Sequence, residues 1–237
     1  MNQLLQQGAR QFGLELSPAQ LDAFDRYSEE LLRWNQRFNL TRITSPDEVT
    51  IKHFLDSLSV YPALAPSQAE LSLIDVGSGA GFPGLPLKIA QPRLRLTLLE
   101  AIQKKTRFLE QMRQTLALSG VEILSLRAEV AGQLPEQRGR YEVAVARAVA
   151  AGPVLAEYTL PLIKVGGTVI LQKGQLTRPE IEATTNALKV LGGRIKQIRP
   201  VTVPFLPAER QLIIIEKISP TPKAYPRRAG LPAKKPL

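Results

Sequence analysis

Cysteine is missing from the chain and histidine occurs once. The first absence excludes disulfides, thiolate metal sites and a cysteine nucleophile. The second excludes a metal cage of several imidazoles and any proton relay between histidines. No stretch approaches the ~18 consecutive apolar residues of a membrane-crossing helix. The opening MNQLLQQGARQFG lacks the apolar run of a secretion signal. Acids are missing from residues 217–237, which carry Lys217, Lys223, Arg227, Arg228, Lys234 and Lys235. These absences lead us to expect a cytoplasmic protein that uses no metal and no membrane.

What is present is ordinary in bulk and uneven in charge. The 237 residues, 44% of them hydrophobic, suffice for a sizeable core. Net charge is +10, yet residues 1–216 hold 25 basic and 21 acidic side chains. The excess therefore lies mostly in the tail. A cationic tail releases counterions from a phosphate backbone, which favours a polyanionic partner. A solubilising role is the alternative.

Three segments follow from the patterning. Residues 1–66 read as a helical subdomain. Ser17-Pro18-Ala19-Gln20 is a capping-box start with proline in the first turn, and Leu21, Phe24, Leu31, Trp34 and Phe38 follow on one face. Ser45-Pro46-Asp47-Glu48 is a second start, ahead of Val49, Phe54, Leu55 and Leu58. Residues 67–218 alternate strands (71–76, 94–100, 121–126, 143–146, 168–172, 194–203, 211–217) with helices (84–91, 103–118, 152–164, 178–191). Such alternation predicts an α/β fold with a mostly parallel sheet covered on both faces. The last two strands have only Pro204-Phe205-Leu206-Pro207 between them, which predicts a closing antiparallel hairpin. Residues 219–237 are proline-rich and read as an extended basic tail.

The chemistry concentrates at strand ends. Ile74-Asp75-Val76-Gly77-Ser78-Gly79-Ala80-Gly81-Phe82-Pro83-Gly84 ends an apolar strand and opens a helix. Its glycines permit a tight turn and close approach of a ligand to backbone. The G-x-G-x-x-G spacing alone also fits a dinucleotide enzyme or a ligand-free turn. The acid two residues before the first glycine resembles the first motif of S-adenosylmethionine-dependent methyltransferases. Glu100 ends the second strand, where an acid can accept both ribose hydroxyls of any nucleoside ligand. Arg127-Ala128-Glu129 follows the third strand. Arg147 stands in the apolar run Ala144-Val145-Ala146-Arg147-Ala148-Val149-Ala150, either facing the ligand crevice or snorkelling to the surface. His53 shares a helix face with Ser57 and is either a catalytic candidate or a packed structural histidine. The proline-aromatic motif of many amine-methylating enzymes is missing, as is the cysteine that pyrimidine C5 methylation uses. Guanine N7 offers a bare lone pair that needs no prior deprotonation, so positioning alone suffices as catalysis.

Taken together, several blocks resemble one family, the bacterial small-subunit ribosomal RNA methyltransferase G family, also called glucose-inhibited division protein B. They are Asn39-Leu40-Thr41, Lys52-His53-Phe54-Leu55-Asp56-Ser57-Leu58, the glycine turn through Phe82-Pro83-Gly84, Lys104-Lys105-Thr106-Arg107-Phe108-Leu109, the Tyr141–Ala150 run, and the ending Tyr225-Pro226-Arg227-Arg228-Ala229-Gly230-Leu231-Pro232. The resemblance spans nearly the whole chain. It implies a Rossmann-like fold of seven strands, S-adenosylmethionine as cofactor with S-adenosylhomocysteine as product, and methyl transfer to guanine N7 of 16S ribosomal RNA. It implies cofactor contacts from Gly77, Phe82, Glu100, Ala101, Ile102, Ala128, Glu129 and Arg147, to which the glycine motif itself adds Asp75, Ser78 and Gly79 as expected contacts. Arg227, Arg228, Lys234 and Lys235 are the expected RNA contacts, the small ribosomal subunit or its RNA the partner, and a monomer the expected state. A small-molecule methyltransferase and a non-catalytic RNA-binding protein with a Rossmann-like fold are the competing readings. The basic tail opposes the first, and the intact Asp75, glycine and Glu100 set opposes the second.

Overall fold

A computed structural model describes residues 2–64, 70–147 and 150–237. The expected subdomain boundary at 66/67, and Ala148 and Val149, lie outside the described residues. The chain opens with helices α1 (Asn2–Arg10) and α2 (Pro18–Phe38). Ser17 caps α2 reciprocally with Gln20, and Asn39 ends it in the left-handed conformation. Ser45 caps α3 (Pro46–Val49), which runs through a π-helical turn, Thr50–Leu55, into α4 (Asp56–Leu58). π turns of this kind cluster at functional sites.

Seven strands then form one sheet: β1 (Ser72–Val76), β2 (Arg95–Leu99), β3 (Val121–Leu124), β4 (Tyr141–Arg147), β5 (Ile163–Lys173), β6 (Gly193–Val201) and β7 (Arg210–Lys217). Their order is β3-β2-β1-β4-β5-β7-β6, parallel except for β7, which pairs antiparallel with β5 and β6. The helices between them are α5 (Gly84–Ala90), α6 (Gln103–Thr115), α7 (Ala128–Ala131), α8 (Gly152–Thr159) and α9 (Arg178–Leu191). Strand side chains alternate between two cores, as the period of two requires. Leu73, Val143, Val145, Ile170 and Ile214 face a core that includes Leu5, Phe24, Leu31 and Phe54 from the N-terminal helices. Ile74, Ala144, Val169, Ile213 and Ile215 face α8 and α9 through Leu155, Leu188 and Leu191.

Two expectations need correction. The helix expected over 152–164 stops at Thr159, and a single 3-10 turn, Leu160–Leu162, leads directly into β5. Ile163-Lys164-Val165-Gly166-Gly167 carries β-branched residues and a glycine at φ +84°, neither of which extends a helix. The tail is not wholly extended either: α10 (Leu231–Lys234) forms a turn of helix after Gly230, with Pro232 tolerated in its first turn. Among the described residues no helix is long and apolar enough to cross a membrane.

Candidate functional site

The carboxyl ends of β1 to β4 open into one cleft of about 840 Å3. Strand order reverses between β1 and β4, the point where open parallel sheets bind ligands. The glycine turn between β1 and α5 forms its floor. Gly77 and Ser78 donate their N–H groups to the carbonyl of Leu99, tying the turn to the end of β2. Gly79 sits at φ +61°, and a Cβ there would meet only the Gly77 carbonyl oxygen at an ordinary 3.9 Å, so its constraint is conformational. The Glu100 carboxylate is held across this turn, accepting from Gly79 N–H (2.9 Å) and from Ile102 N–H (2.8 Å). Ala101 and the exposed Ile102 line the cleft beside it.

Asp75 departs from expectation. It is fully buried and lies outside the cleft lining. Its Oδ2 accepts the N–H of Gly84 at 2.8 Å, beneath the turn. A Cβ at Gly84 would stand 2.8 Å from that oxygen, so this glycine is there for close approach to Asp75. Burial pushes the Asp75 carboxyl up to about 7, opposed by the Gly84 hydrogen bond and the charge of Arg147. Asp75 thus shapes the turn rather than touching the cleft.

The β4 side of the cleft is built by the N-terminal helices. Phe82 lies between two rings, Tyr27 at 5.3 Å and His53 at 4.4 Å, both within 12° of parallel. Tyr27 reaches over from α2, and its hydroxyl donates to the carbonyl of Ala80 at 2.5 Å. The Arg147 guanidinium stands 5.0 Å from the centre of the Phe82 ring, a cation–π distance. Arg147 Nη1 donates to Asp56 Oδ2 at 2.7 Å, and Arg210 Nε donates to Asp56 Oδ1 at 2.8 Å. Gln172 donates to the backbone carbonyl of Asp56.

Both nitrogens of His53 are engaged, Nε2 with Thr41 Oγ1 at 2.8 Å and Nδ1 with Arg147 Nη2 at 3.4 Å. A guanidinium only donates, so Nδ1 accepts and Nε2 carries the proton toward Thr41. Burial and then the Arg147 charge pull the imidazole down to about 3. His53 is therefore neutral at physiological pH and a poor general base.

The β3 side is lined by Arg127, Ala128 and Glu129. Glu129, nearly buried, accepts on one oxygen from Tyr158 (3.3 Å) and from the N–H of Gly230 (2.8 Å). The chain end thus returns to the cleft. Of the four expected RNA contacts, Arg228, Lys234 and Lys235 are exposed. Arg227 is instead committed to Glu157, with its Nη2 2.6 Å from a carboxylate whose side chain is 1% exposed. No phosphate can displace so buried a partner without leaving Glu157 as a lone charge.

A family model described as rRNA small subunit methyltransferase G matches residues 20–213. The chain belongs to that family. Ribosomal RNA small subunit methyltransferase G of Dehalococcoides mccartyi (strain CBDB1) is 49% identical over 237 residues, covering 100% of both chains. Its namesake from Acetivibrio thermocellus is 44% identical over 100% of this chain and 97% of its own. Among solved structures, a 16S rRNA (adenine(1408)-N(1))-methyltransferase from Catenulisporales acidiphilia with cosubstrate SAM superposes with a TM-score of 0.54. It is 16% identical and covers 68% of this chain and 91% of that one. The [4+2]-cyclase SpnF superposes at a TM-score of 0.57, 14% identical, over 87% and 99% of the two chains. These likenesses establish the Rossmann-like methyltransferase fold, and the cyclase illustrates that the fold alone does not fix the chemistry.

Several residues that build this methyltransferase G cleft are missed by motif reading. Thr41, Lys105 and Tyr158 line it from outside the strand ends, the buried Tyr27 backs Phe82 and the glycine turn, and Asp56 and Arg210 orient Arg147. Asp56 carried a signal: it is an acid in the largely apolar stretch Phe54-Leu55-Asp56-Ser57-Leu58, and a buried acid needs a cation. Arg210 carried none.

Proposed function

We propose that this chain transfers a methyl group from S-adenosylmethionine to N7 of a guanine in 16S ribosomal RNA, acting as a monomer in the cytoplasm without a metal. The residues suit the cofactor. The backbone at Gly77 and Gly79 is bare of side chains, and Glu100 is fixed where an acid accepts ribose hydroxyls. Glu129 stands one strand further out, beyond the position of the sugar. When bound, S-adenosylmethionine supplies a methyl group on a positively charged sulfur.

The observation that carries the choice of acceptor atom is the engagement of His53, its Nδ1 facing the Arg147 guanidinium and its Nε2 facing Thr41. His53 is held neutral and weakly basic, both oxygens of Glu100 accept backbone N–H groups, and Glu129 stands on the β3 side of the cleft, beyond the sugar. An exocyclic amine must lose a proton, whereas guanine N7 presents a lone pair and ends as a cation with nothing to remove. His53, Phe82 and Arg147 therefore serve to position a flat acceptor, and Asp56 holds Arg147 in place. Arg228, Lys234 and Lys235 supply exposed charge for the RNA backbone.

The test is product analysis of 16S RNA methylated by the purified protein. The expected product is N7-methylguanine, cleavable by borohydride and aniline, made at a rate without a steep rise above pH 6. A methylated exocyclic amine or ribose in the digest would falsify the assignment.

A further inference from the structure

The C-terminal segment is built into the fold. Its path begins at Lys217, buried and donating to the carbonyl of Leu160 and to Thr221 Oγ1. The Arg138 guanidinium then donates to the carbonyls of Thr221 (2.7 Å), Tyr225 (2.8 Å) and Pro222 (3.1 Å). Gln133 donates to the carbonyl of Pro226 at 2.7 Å, and a Cβ at Gly132 would stand 2.8 Å from the Pro226 ring. Next comes the anchor. Arg227 gives Glu157 its backbone N–H (2.8 Å), Nε (2.9 Å) and Nη2 (2.6 Å). Three residues later Gly230 donates its N–H to Glu129 Oε1, the oxygen that also accepts from Tyr158. Among the described residues, Glu129 Oε2 accepts no hydrogen bond. Tyr158 and Glu129 both line the cleft.

The ligand's placement follows from strand order. With the glycine turn at β1 and the sugar at Glu100 after β2, the base of a nucleoside falls over the end of β3. A carboxylate there meets the donor edge of adenine, its 6-amino group. We propose that the C-terminal segment braces the wall of the cofactor cleft from behind, at Glu129. In that segment, Arg227, clamped on Glu157, is a positioning residue that sets Gly230 and thereby aims Glu129 at the adenine 6-amino group. This rests on the reading of an adenosyl cofactor made above. It gives Arg227 a role other than the phosphate contact its charge suggests.

The experiment is calorimetry on the full-length protein with two ligands, S-adenosylhomocysteine and S-inosylhomocysteine, in which the 6-amino group is replaced by oxygen. Wild type is expected to prefer the adenosyl ligand on the order of tenfold, the effect of one polar contact left unpaired. Arg227→Gln is expected to bring that preference close to unity, while Lys223→Gln, an exposed tail charge, keeps it. If Arg227→Gln unfolds because Glu157 is left charged and buried, Glu157→Gln/Arg227→Gln removes both charges and is read instead. An Arg227 variant that keeps the wild-type preference overturns the proposal, even if it binds both ligands more weakly, because that result reports general loosening. Wild type that binds neither ligand overturns the cofactor reading itself, and the brace with it.

Discussion

Residues 2–64 line the cleft through Leu40, Thr41 and His53, whereas residues 219–237 touch it only through Glu129, and the two segments are held by unlike means. The N-terminal helices dock by apolar burial: Leu5, Phe24, Leu31, Phe54 and Leu58 have no exposed surface and join one face of the sheet. They deliver Tyr27 and His53 to either side of Phe82. The C-terminal segment packs Tyr225 and Leu237 on the other core and adds directional polar contacts, a guanidinium against carbonyls, a buried ion pair and one backbone N–H. Apolar burial is non-directional and large in free energy, so it fixes a helix as a body. A bidentate ion pair contributes less net stability but dictates angle and register. The base of the cleft needs the first kind of support, and a carboxylate that must be aimed needs the second.

The largest effect expected from breaking this contrast is on stability at the N-terminal end. Phe54 packs against Phe24 (4.9 Å), Tyr27 (5.3 Å) and Phe82 (6.2 Å). Phe54→Ala should lower unfolding free energy by about 3–5 kcal/mol, as a buried aromatic truncated to a methyl group does. Urea melts check it, and the loss should change little with salt. A cost below about 1 kcal/mol would mean that the helices are held by something other than this core.

A smaller effect concerns acidity and sets the N-terminal His53 against Asp75 of the sheet. The folded imidazole is at about 3, below its ordinary 6.5, so acidification below 6.5 protonates the unfolded chain first and stability falls. The folded Asp75 carboxyl is at about 7, above its ordinary 3.8, so its contribution is full below 3.8 and lost as pH rises through 7. Between pH 4 and 6.5 the two slopes oppose, each at most about 1.4 kcal/mol per pH unit. Wild type should therefore be nearly flat across that window. Asp75→Asn should lose stability toward acid, and His53→Gln should gain it. Unfolding series at pH 5, 6 and 7 that run parallel for all three proteins would show that neither group is perturbed.

The same contrast explains what could be read from the sequence. All seven strands, the closing hairpin, both serine-capped helices and helix 178–191 are visible as apolar periods bounded by capping residues. Gly77, Ser78, Gly79, Phe82, Glu100, Ala101, Ile102, Ala128, Glu129, Arg147 and His53 all line the cleft, because strand ends in this topology converge there. Asp75 was misplaced by its motif, since spacing gives an acid's position along the chain but not whether its side chain points above or below the turn. Arg227 was misplaced by its charge. Its partner Glu157 lies 70 residues earlier, and an ion pair across such a distance has no periodicity to betray it. Polar docking is specific in space and silent in sequence.

The smallest expected effect separates the two roles of the tail. Arg228, Lys234 and Lys235 are exposed, whereas Arg227 is spent on Glu157. Replacing the exposed three with glutamine should weaken binding to 16S RNA only modestly at physiological salt. It should also make the salt dependence shallower by roughly 0.7–0.9 in slope for each side chain that contacts a phosphate. Filter binding over a range of potassium chloride measures that slope. Calorimetry with S-adenosylhomocysteine should find the cofactor affinity intact, because none of the three side chains lines the cleft. An unchanged salt slope in the triple variant would leave the tail as a brace of the cleft wall alone. Its exposed cations would then be idle, and the RNA would have to be held by cations elsewhere, of which Lys105 and Arg127 at the cleft mouth are the first to replace.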